Sequence, residues 1–182
     1  MTKNMKLSLF DDSKSHSVIE LFRNVFAASE GEEEGEVIAG FVTNLIATTK
    51  PRDLIGCMAE EGDTILGCIF FSRFVVPNDQ LAFIMSPVAV AADAQGTGIG
   101  QKLIQYGLDY LKLNNVELAF TYGDPNYYSK IGFKQISENS VKAPFSLSQP
   151  MGWLAQSLDG GEVPAMVGAT QCVEALNDPA LW

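Results

Sequence analysis

The first third of the chain repeats its apolar positions with a helical period. Residues 17–29, SVIELFRNVFAAS, place apolar side chains on one face, and Ser17 with Glu20 fits a capping box at the start. Residues 35–49, GEVIAGFVTNLIATT, repeat the pattern. The segment between them, SEGEEEGE, is predicted to be an acidic turn because glycines punctuate it. The pattern therefore predicts two consecutive helices joined by a charged loop.

The middle of the chain changes to continuous apolar runs, which are typical of buried strands. Residues 53–60 and 64–76 predict a hairpin around the turn Glu61-Gly62-Asp63. The elements predicted after the hairpin are a strand at 81–90, a helix from 98 that ends at Asn114 and Asn115, a strand at 116–122, a short helix from Pro125, and strands at 132–137 and 165–173. This alternation predicts an α/β fold in which helices bracket a mixed sheet.

Length and composition fit one domain. The chain has 182 residues, of which 47% are hydrophobic and 19% charged, as in ordinary globular proteins. We predict a single domain over residues 1–182, with its core at about 5–137 and a poorly patterned extension at about 138–182. Cys57, Cys68 and Cys172 show no paired spacing, which favours reduced, buried thiols.

Charge and hydropathy narrow the range of partners. The net charge of −10 argues against nucleic acid, because phosphate binding needs clustered lysine and arginine. No run of eighteen apolar residues is present, so we expect no membrane partner. The first residues, MTKNMKLSLFDDSK, lack the apolar segment of a secretory signal, so we expect a cytoplasmic protein. The oligomeric state, including a homodimer, stays open.

A glycine-rich loop stands between the strand at 81–90 and the following helix. In QGTGIGQK, residues 95–102, Lys102 is not followed by serine or threonine as a P-loop requires. The glycine spacing G-x-G-x-G also differs from the dinucleotide fingerprint G-x-G-x-x-G, and the loop does not open a βαβ unit. Both familiar nucleotide-binding motifs are therefore excluded.

The remaining match is a Q/R-x-x-G-x-G/A loop, formed by Gln95, Gly98 and Gly100. Together with the order of elements and the segment YYSKIGF, this loop resembles the GNAT superfamily of N-acetyltransferases. The resemblance implies a mostly antiparallel central sheet and acetyl-CoA as the acyl donor, with no metal. A helix N-terminus preceded by glycines suits the pyrophosphate of that donor, because its N–H groups are free and the backbone is accessible.

The resemblance also implies which residues hold the donor. The pyrophosphate would lie on the loop and helix start, and the pantetheine arm would bond to the backbone of the strand beyond Pro87, where that family's strand splays from its neighbour. A proline there predicts a bulge or local unpairing in any case. The expected donor-binding residues are Val88, Ala89, Val90, Gln95, Gly96, Thr97, Gly98, Ile99, Gly100 and Asn126. Val88–Val90 can belong to a core strand at the same time, because only their backbone would bind the arm. Asn126 is equally consistent with an ordinary helix start.

Tyr128 is the expected catalytic residue. It occupies the tyrosine of the family's Tyr-x-x-x-Gly-Phe segment, completed here by Gly132 and Phe133, where that residue is the general acid to the sulfur of CoA. The spacing favours Tyr128 over its neighbour Tyr127. The alternative is a tyrosine that only packs against the core.

The sequence identifies no general base. Many relatives carry a glutamate on the strand before the glycine loop, but Leu81–Val90 contains no carboxylate. Ser86 could only order a water molecule, and Glu60 and Glu61 are consistent with solvated turn residues. The single histidine, His16, is expected to be exposed near a helix start, which argues against a histidine-dependent triad.

The resemblance carried by the glycine loop, the order of elements and the segment YYSKIGF implies direct acetyl transfer to a primary amine of a small molecule or peptide. The glutamate run at 30–36 would favour a cationic amine by electrostatic steering, although acidic residues at a helix start also stabilise the helix itself. Two alternatives stay open. One is a non-catalytic acyl-CoA-binding module, and the other is an interaction protein that uses Trp153 and Trp182 as anchors.

Overall fold

The computed structural model describes residues 4–182 and contains seven strands and four α-helices in that range. In chain order they are β1 Met5–Leu9, α1 Ser15–Glu30, α2 Glu32–Thr48, β2 Leu54–Glu61, β3 Thr64–Val75, β4 Leu81–Val90, α3 Ile99–Leu113, β5 Leu118–Tyr122, α4 Pro125–Tyr128, β6 Lys134–Gln135 and β7 Trp153–Ser157. The predicted α/β class is confirmed.

The strands form one sheet in the order β1-β2-β3-β4-β5-β7-β6. β1 runs antiparallel to β2, and β7 runs antiparallel to both β5 and β6. β4 and β5 are parallel, since α3 connects them as a crossover. The sheet is therefore mixed and mostly antiparallel, as the family resemblance implied.

Contacts group the described residues into two compact units. The first contains the residues up to Phe70 together with Pro87–Gly107, and the second contains Phe71–Ser86 together with Leu108–Trp182. Each unit is described by itself below. The single domain over residues 1–182 stays a prediction, and its first three residues lie outside the described range.

In the first unit, α1 and α2 pack closely against each other. Gly35 of α2 is buried, and a methyl group on it would lie 2.7 Å from the Arg23 carbonyl oxygen. Only a glycine permits this approach. Beneath the helices, the fully buried rings of Phe22 and Phe70 stack with their centroids 6.2 Å apart. Burial of these aromatic rings holds the helical pair on the sheet.

Two local predictions for this unit are wrong. The acidic segment is not a turn, because α2 begins at Glu32 and Gly31, with φ +106°, is the sole link between the helices. Carboxylates in a first helical turn are stabilised by the helix dipole, which explains why the glutamates extend the helix. The capping box is absent, since α1 begins at Ser15 and Glu20 pairs with Arg23.

In the second unit, an aromatic cluster forms the core. The ring centroids of Phe74 and Phe120 lie 4.8 Å apart, and those of Phe120 and Trp153 lie 5.4 Å apart. Trp153 Nε1 donates to the Val141 carbonyl at 3.0 Å. Trp182 is also buried, and its Nε1 donates to the Leu176 carbonyl at 3.0 Å. The hypothesis that both tryptophans are exposed anchors is therefore wrong.

The predicted C-terminal strands differ from the observed ones. The segment 165–173 is not a strand, and only an isolated bridge joins Val75 to Gln171. Gly168, with φ +129°, interrupts any extended run there. The strand predicted at 132–137 is reduced to β6, and the strand that pairs with it, β7, has no counterpart in the sequence prediction.

Candidate active site

The pairing of β4 with β5 ends shortly before the proline of β4. The parallel register with β5 runs from Ala82 opposite Leu118 to Met85 opposite Thr121, whereas β4 itself continues to Val90. At the last pair, the Thr121 hydroxyl donates to the Met85 carbonyl at 2.9 Å. The local unpairing predicted from Pro87 thus agrees with where the register stops.

The last residues of β4 alternate in exposure. Ala89 is buried, whereas Val88 and Val90 are half-buried. Just beyond the strand, the Ala91 N–H donates to the Leu66 carbonyl of β3 at 2.7 Å, so this end of β4 is held on its β3 side. Binding of a ligand by the backbone of these three residues stays a prediction.

The glycine loop adopts a backbone that other residues disfavour. Gly96 has φ +76° and Gly98 has φ +83°, in the left-handed region. A methyl group placed on either glycine would meet nothing within 4 Å. Gly98 therefore needs to be glycine for its conformation, and the space beside it is open to a ligand.

Two polar side chains of the loop bond to the backbone of their own segment. Gln95 Nε2 donates to the Val90 carbonyl at 2.9 Å, and the Thr97 hydroxyl donates to the Ala94 carbonyl at 2.5 Å. Both side chains therefore shape the turn that leads from β4 into α3. This is a structural role that the sequence analysis did not assign to them.

Helix α3 begins immediately after the loop. The Lys102 N–H donates to the Gly98 carbonyl at 3.1 Å, which is the first bond of the helix. The N–H groups of Ile99, Gly100 and Gln101 precede it and have no acceptor within the helix. Because no acidic residue lies in this first turn, the helix dipole favours an anion here.

Helix α2 provides a useful contrast. It also follows a positive-φ glycine, Gly31, and its first helical bond runs from the Gly35 N–H to the Gly31 carbonyl. Its first turn, however, carries Glu32, Glu33 and Glu34, all exposed. Of the two similar helix starts, α3 is the one whose electrostatics suit a phosphate.

In the second unit, Tyr128 is the last residue of the short helix α4. Asp124 caps this helix, since its Oδ1 accepts from the Asn126 N–H at 2.9 Å. The Phe133 N–H donates to the Tyr128 carbonyl at 3.3 Å. The rings of Tyr128 and Phe133 meet edge-on, with centroids 6.1 Å apart and planes at 75°. The Asp124 cap before Tyr128 and the contacts with Phe133 after it therefore fix the position of Tyr128.

The Tyr128 hydroxyl is held in its neutral form. Burial raises the pKa of Tyr128 to about 12, and the neighbouring Tyr127 and Asp124 contribute in the same direction. The pKa of Tyr127 is also raised by burial. Asn126 is exposed, and only its backbone N–H is used in the cap. Both tyrosines thus remain possible proton donors at neutral pH.

A cavity of about 350 Å³ lies in the same unit as Tyr128. It is lined by Tyr122, Gly123, Asp124, Pro125, Ser148, Gln149, Met151 and Gly152. The Tyr122 hydroxyl joins its two sides, since it accepts from the Gln149 N–H at 2.6 Å and lies 3.0 Å from the Ser148 hydroxyl. Asp124 is the one acidic residue among those that line it. The cavity is therefore large enough for a small ligand and has a negative charge in its wall.

The residues considered as a base show no arrangement for catalysis. Glu60 and Glu61 lie within β2, opposite Lys6 and Met5 of β1, rather than in a turn. His16 is exposed on α1, as expected. Within residues 4–182, no group of three or more metal-ligating side chains could hold a metal ion.

Gly123 is the site residue that sequence reasoning missed. It follows β5 directly and precedes the cap Asp124, and a methyl group on it would lie 2.7 Å from Cε2 of Tyr128. A signal was available, because a glycine at a strand often marks a site where another group approaches the backbone closely, and Gly123 directly follows β5. The group that approaches Gly123 is the ring of Tyr128, five residues later, and the sequence spacing of the two residues does not predict this contact.

Comparison with known protein sequences finds acetyltransferases. Residues 52–135 match the family model described as the acetyltransferase (GNAT) domain. A curated relative, the uncharacterized N-acetyltransferase YjhQ of Escherichia coli K12, is 26% identical over 149 residues, which cover 79% of this chain and 82% of the relative. The family match spans β2 through β6 and includes both the glycine loop and Tyr128.

Solved structures of the same kind share the fold. The GNAT family N-acetyltransferase YhbS from Escherichia coli, in complex with CoA, has a TM-score of 0.80 at 21% identity, over 98% of this chain and 94% of that chain. A GNAT family acetyltransferase from Brucella melitensis, in complex with acetyl-CoA, has a TM-score of 0.72 at 24% identity, over 95% of this chain and 98% of that chain. At these identities the likeness concerns the fold.

Proposed function

We propose that the chain is an acetyltransferase of the GNAT superfamily, whose domain model its residues 52–135 match, and that it transfers the acetyl group of acetyl-CoA directly to a primary amine of a small molecule or peptide. The observation that carries the proposal is the β4–loop–α3 segment, in which a positive-φ glycine opens onto a helix start free of acidic residues. The two solved relatives were crystallised with CoA or acetyl-CoA, which agrees with this donor.

The donor-binding residues fit a pyrophosphate. The N–H groups of Ile99, Gly100 and Gln101 would bond its oxygens, and Gly98 leaves room for it. The backbone of Val88–Val90 would bond the pantetheine arm beyond the end of the β5 register. When bound, the donor supplies an activated thioester. Asn126, which is exposed, is assigned to the arm as well.

Direct transfer is favoured over a route through an acyl-cysteine. Cys57 and Cys68 are fully buried, and burial raises the pKa of Cys57 to about 12 and that of Cys68 well above its ordinary value. Cys172 is half-buried, and its pKa is also raised by burial. Because the thiolate is the nucleophilic form, none of the three thiols is activated at neutral pH. The amine itself is thus the nucleophile we assign.

Tyr128 is the proton donor in this proposal. Its raised pKa keeps the hydroxyl protonated over the whole working range, so it can donate to the sulfur as negative charge develops there. The attacking amine must be neutral, and with a pKa of about 10.4 only about one alkylamine molecule in a few thousand is neutral at pH 7. Water, rather than a named side chain, accepts the amine proton in this scheme.

The acceptor class follows from charge and size. The exposed glutamates of the first turn of α2 and the net charge of −10 favour a cationic amine. A small amine would also fit the cavity of about 350 Å³, in which Asp124 supplies a carboxylate. These features support a small, cationic primary amine as the acceptor.

An acceptor screen tests the proposal. The purified protein is incubated with acetyl-CoA and a panel of cationic, neutral and acidic amines, and free CoA thiol and acetylated products are measured by absorbance and mass spectrometry. We expect CoA release that depends on a cationic amine. Calorimetric binding of acetyl-CoA without CoA release for any acceptor would instead favour the non-catalytic binding module.

A further inference from the structure

We propose that Gly123 is a positioning residue for Tyr128, because its missing side chain lets the phenol ring lie directly against the main chain at the end of β5. The proposal rests on the function proposed above, in which the Tyr128 hydroxyl donates a proton. Gly123 itself contacts no reacting atom in this proposal. It acts through the orientation of the ring.

The contact between the ring and the main chain is close. A methyl group on Gly123 would lie 2.7 Å from Cε2, 3.4 Å from Cδ2 and 3.7 Å from Cζ of Tyr128. The contacted edge of the ring includes Cζ, the carbon that carries the hydroxyl. A displacement at this edge therefore moves the proton donor itself.

The main chain at Gly123 is supported from its other side. The Gly123 N–H donates to the Gly152 carbonyl at 3.0 Å. A methyl group on Gly152 would lie 2.8 Å from the Gly123 carbonyl oxygen and 3.3 Å from Cε1 of Tyr122. Two glycines thus form a thin layer between the start of β7 and the Tyr128 ring. This layer cannot retreat from an added side chain without breaking its own contacts.

The ring is also confined laterally. Tyr127 meets it edge-on with centroids 5.1 Å apart and planes at 83°, and Phe133 meets it at 75°. The ring of Tyr128 is therefore bounded by two aromatic neighbours and by the Gly123 backbone. An added methyl group would therefore displace the ring away from Gly123, and because Tyr128 is only half-buried, we expect this displacement to expose its hydroxyl further.

Gly123→Ala tests the contact without straining the backbone. Gly123 is not among the residues with positive φ, so alanine suits its conformation and the effect arises from the ring. We expect kcat to fall by about 10- to 100-fold, since a displacement near 1 Å at a catalytic group can cost about 100-fold. The affinity for acetyl-CoA should change little.

A double-variant comparison separates positioning from general damage. In a Tyr128→Phe background, which lacks the hydroxyl, Gly123→Ala should cost no further activity. An equal loss of kcat in both backgrounds would overturn the proposal. If Gly123→Ala alone folds poorly, adding Tyr128→Ala should restore its thermal stability to that of Tyr128→Ala, because the clash is then gone. No such recovery would count against the proposal.

A titration of the phenol gives a readout that does not depend on activity. Because burial raises the pKa of Tyr128 to about 12, moving the ring towards solvent should lower it towards the ordinary value of about 10. The measurement is the tyrosine Cζ resonance against pH, assigned with Tyr128→Phe. An unchanged pKa would overturn the proposal. If the wild-type protein releases no CoA with any amine, the proposed function is wrong. The titration would still decide whether Gly123 positions the Tyr128 ring.

Gly56→Ala is the matched control for the steric effect. A methyl group on Gly56 would lie 2.5 Å from Cβ of Phe10 and 2.8 Å from Cε1 of Phe70, in the other compact unit. It creates a comparable aromatic clash that does not involve Tyr128. We expect it to lower thermal stability and to leave the Tyr128 pKa unchanged. A pKa shift of equal size in this control would overturn the specific role of Gly123.

Discussion

At the scale of single residues, Tyr128 and Tyr127 have the same protonation state but different positions in the fold. Burial raises the pKa of both Tyr127 and Tyr128, so both are neutral phenols at working pH. Tyr128, however, lies against Gly123 and ends α4, whereas Tyr127 contacts it edge-on. A pair of phenylalanine variants, each of which keeps its ring and removes one hydroxyl, can therefore measure which of the two phenols donates the proton.

Tyr128→Phe keeps the ring and removes only the hydroxyl. We expect kcat to fall by about 10²- to 10⁴-fold, the usual contribution of a positioned acid, while the calorimetric affinity for acetyl-CoA barely changes. Tyr127→Phe is the control and should cost far less. If Tyr127→Phe gives the slower enzyme, the assignment of the acid is wrong. If neither variant is slower, Tyr128 is a core residue.

Gly98 allows a second test at this scale. Gly98→Ala places a methyl group in open space beside the start of α3, with a backbone strain of about 1–2 kcal/mol at φ +83°. Gly160→Ala is matched to it, since Gly160 has φ +86° and also has open space. Both variants should lose similar thermal stability, but only Gly98→Ala should weaken acetyl-CoA binding, by at least about tenfold. Equal affinities in calorimetry would exclude the loop from the donor site.

At the scale of elements, the sequence predicts what local chemistry determines. β4 was predicted at its observed bounds, because its apolar run ends at a glycine loop. The end predicted for α3 also agrees with the structure, since Asn115 has the left-handed conformation that is typical of a residue just after a helix. β7 was missed, since Trp153–Ser157 becomes a strand by pairing with β5 and β6 rather than by its own pattern. The pairing partners of a short segment are tertiary information that a local pattern does not contain.

The first turn of α2 carries a prediction about steering. Replacing Glu32, Glu33 and Glu34 by glutamine should lower kcat/KM for a cationic acceptor, and the loss should shrink as salt rises, because exposed charges are screened over about 8 Å at physiological ionic strength. A neutral acceptor should be unaffected. Glu36 is left unchanged because it pairs with Arg23.

A charge-matched variant controls for net charge. Glu138, Glu162 and Glu174 are exposed and lie in the other compact unit, and their replacement by glutamine changes the net charge by the same three units. If this control lowers kcat/KM as much as the α2 variant, the whole field of the protein attracts the acceptor and α2 has no special role. Steady-state rates at several salt concentrations make the comparison.

At the scale of the whole molecule, the described residues 4–182 contain no helix long and apolar enough to cross a membrane. The sequence predicts the glycine loop and Tyr128 as candidate site residues, because both belong to short motifs. Gly123 was not, since its role depends on a ring that folds back onto it. Short motifs can thus be predicted from the sequence, whereas the tertiary contacts that position their side chains are seen only in the structure.

Hydrogen exchange over all backbone amides tests the donor site as a whole. The N–H groups of Ile99–Gln101 have no acceptor within α3, so they should exchange rapidly in the free protein and slow markedly when acetyl-CoA is added. Those of Glu32–Glu34 are the internal control, because they occupy the same positions of α2 after another positive-φ glycine but carry carboxylates that repel an anion. Protection at α3 alone is the expected result, together with slower exchange at Val88–Val90. Equal protection at both helix starts would indicate general stabilisation, and protection at neither would place the pyrophosphate elsewhere.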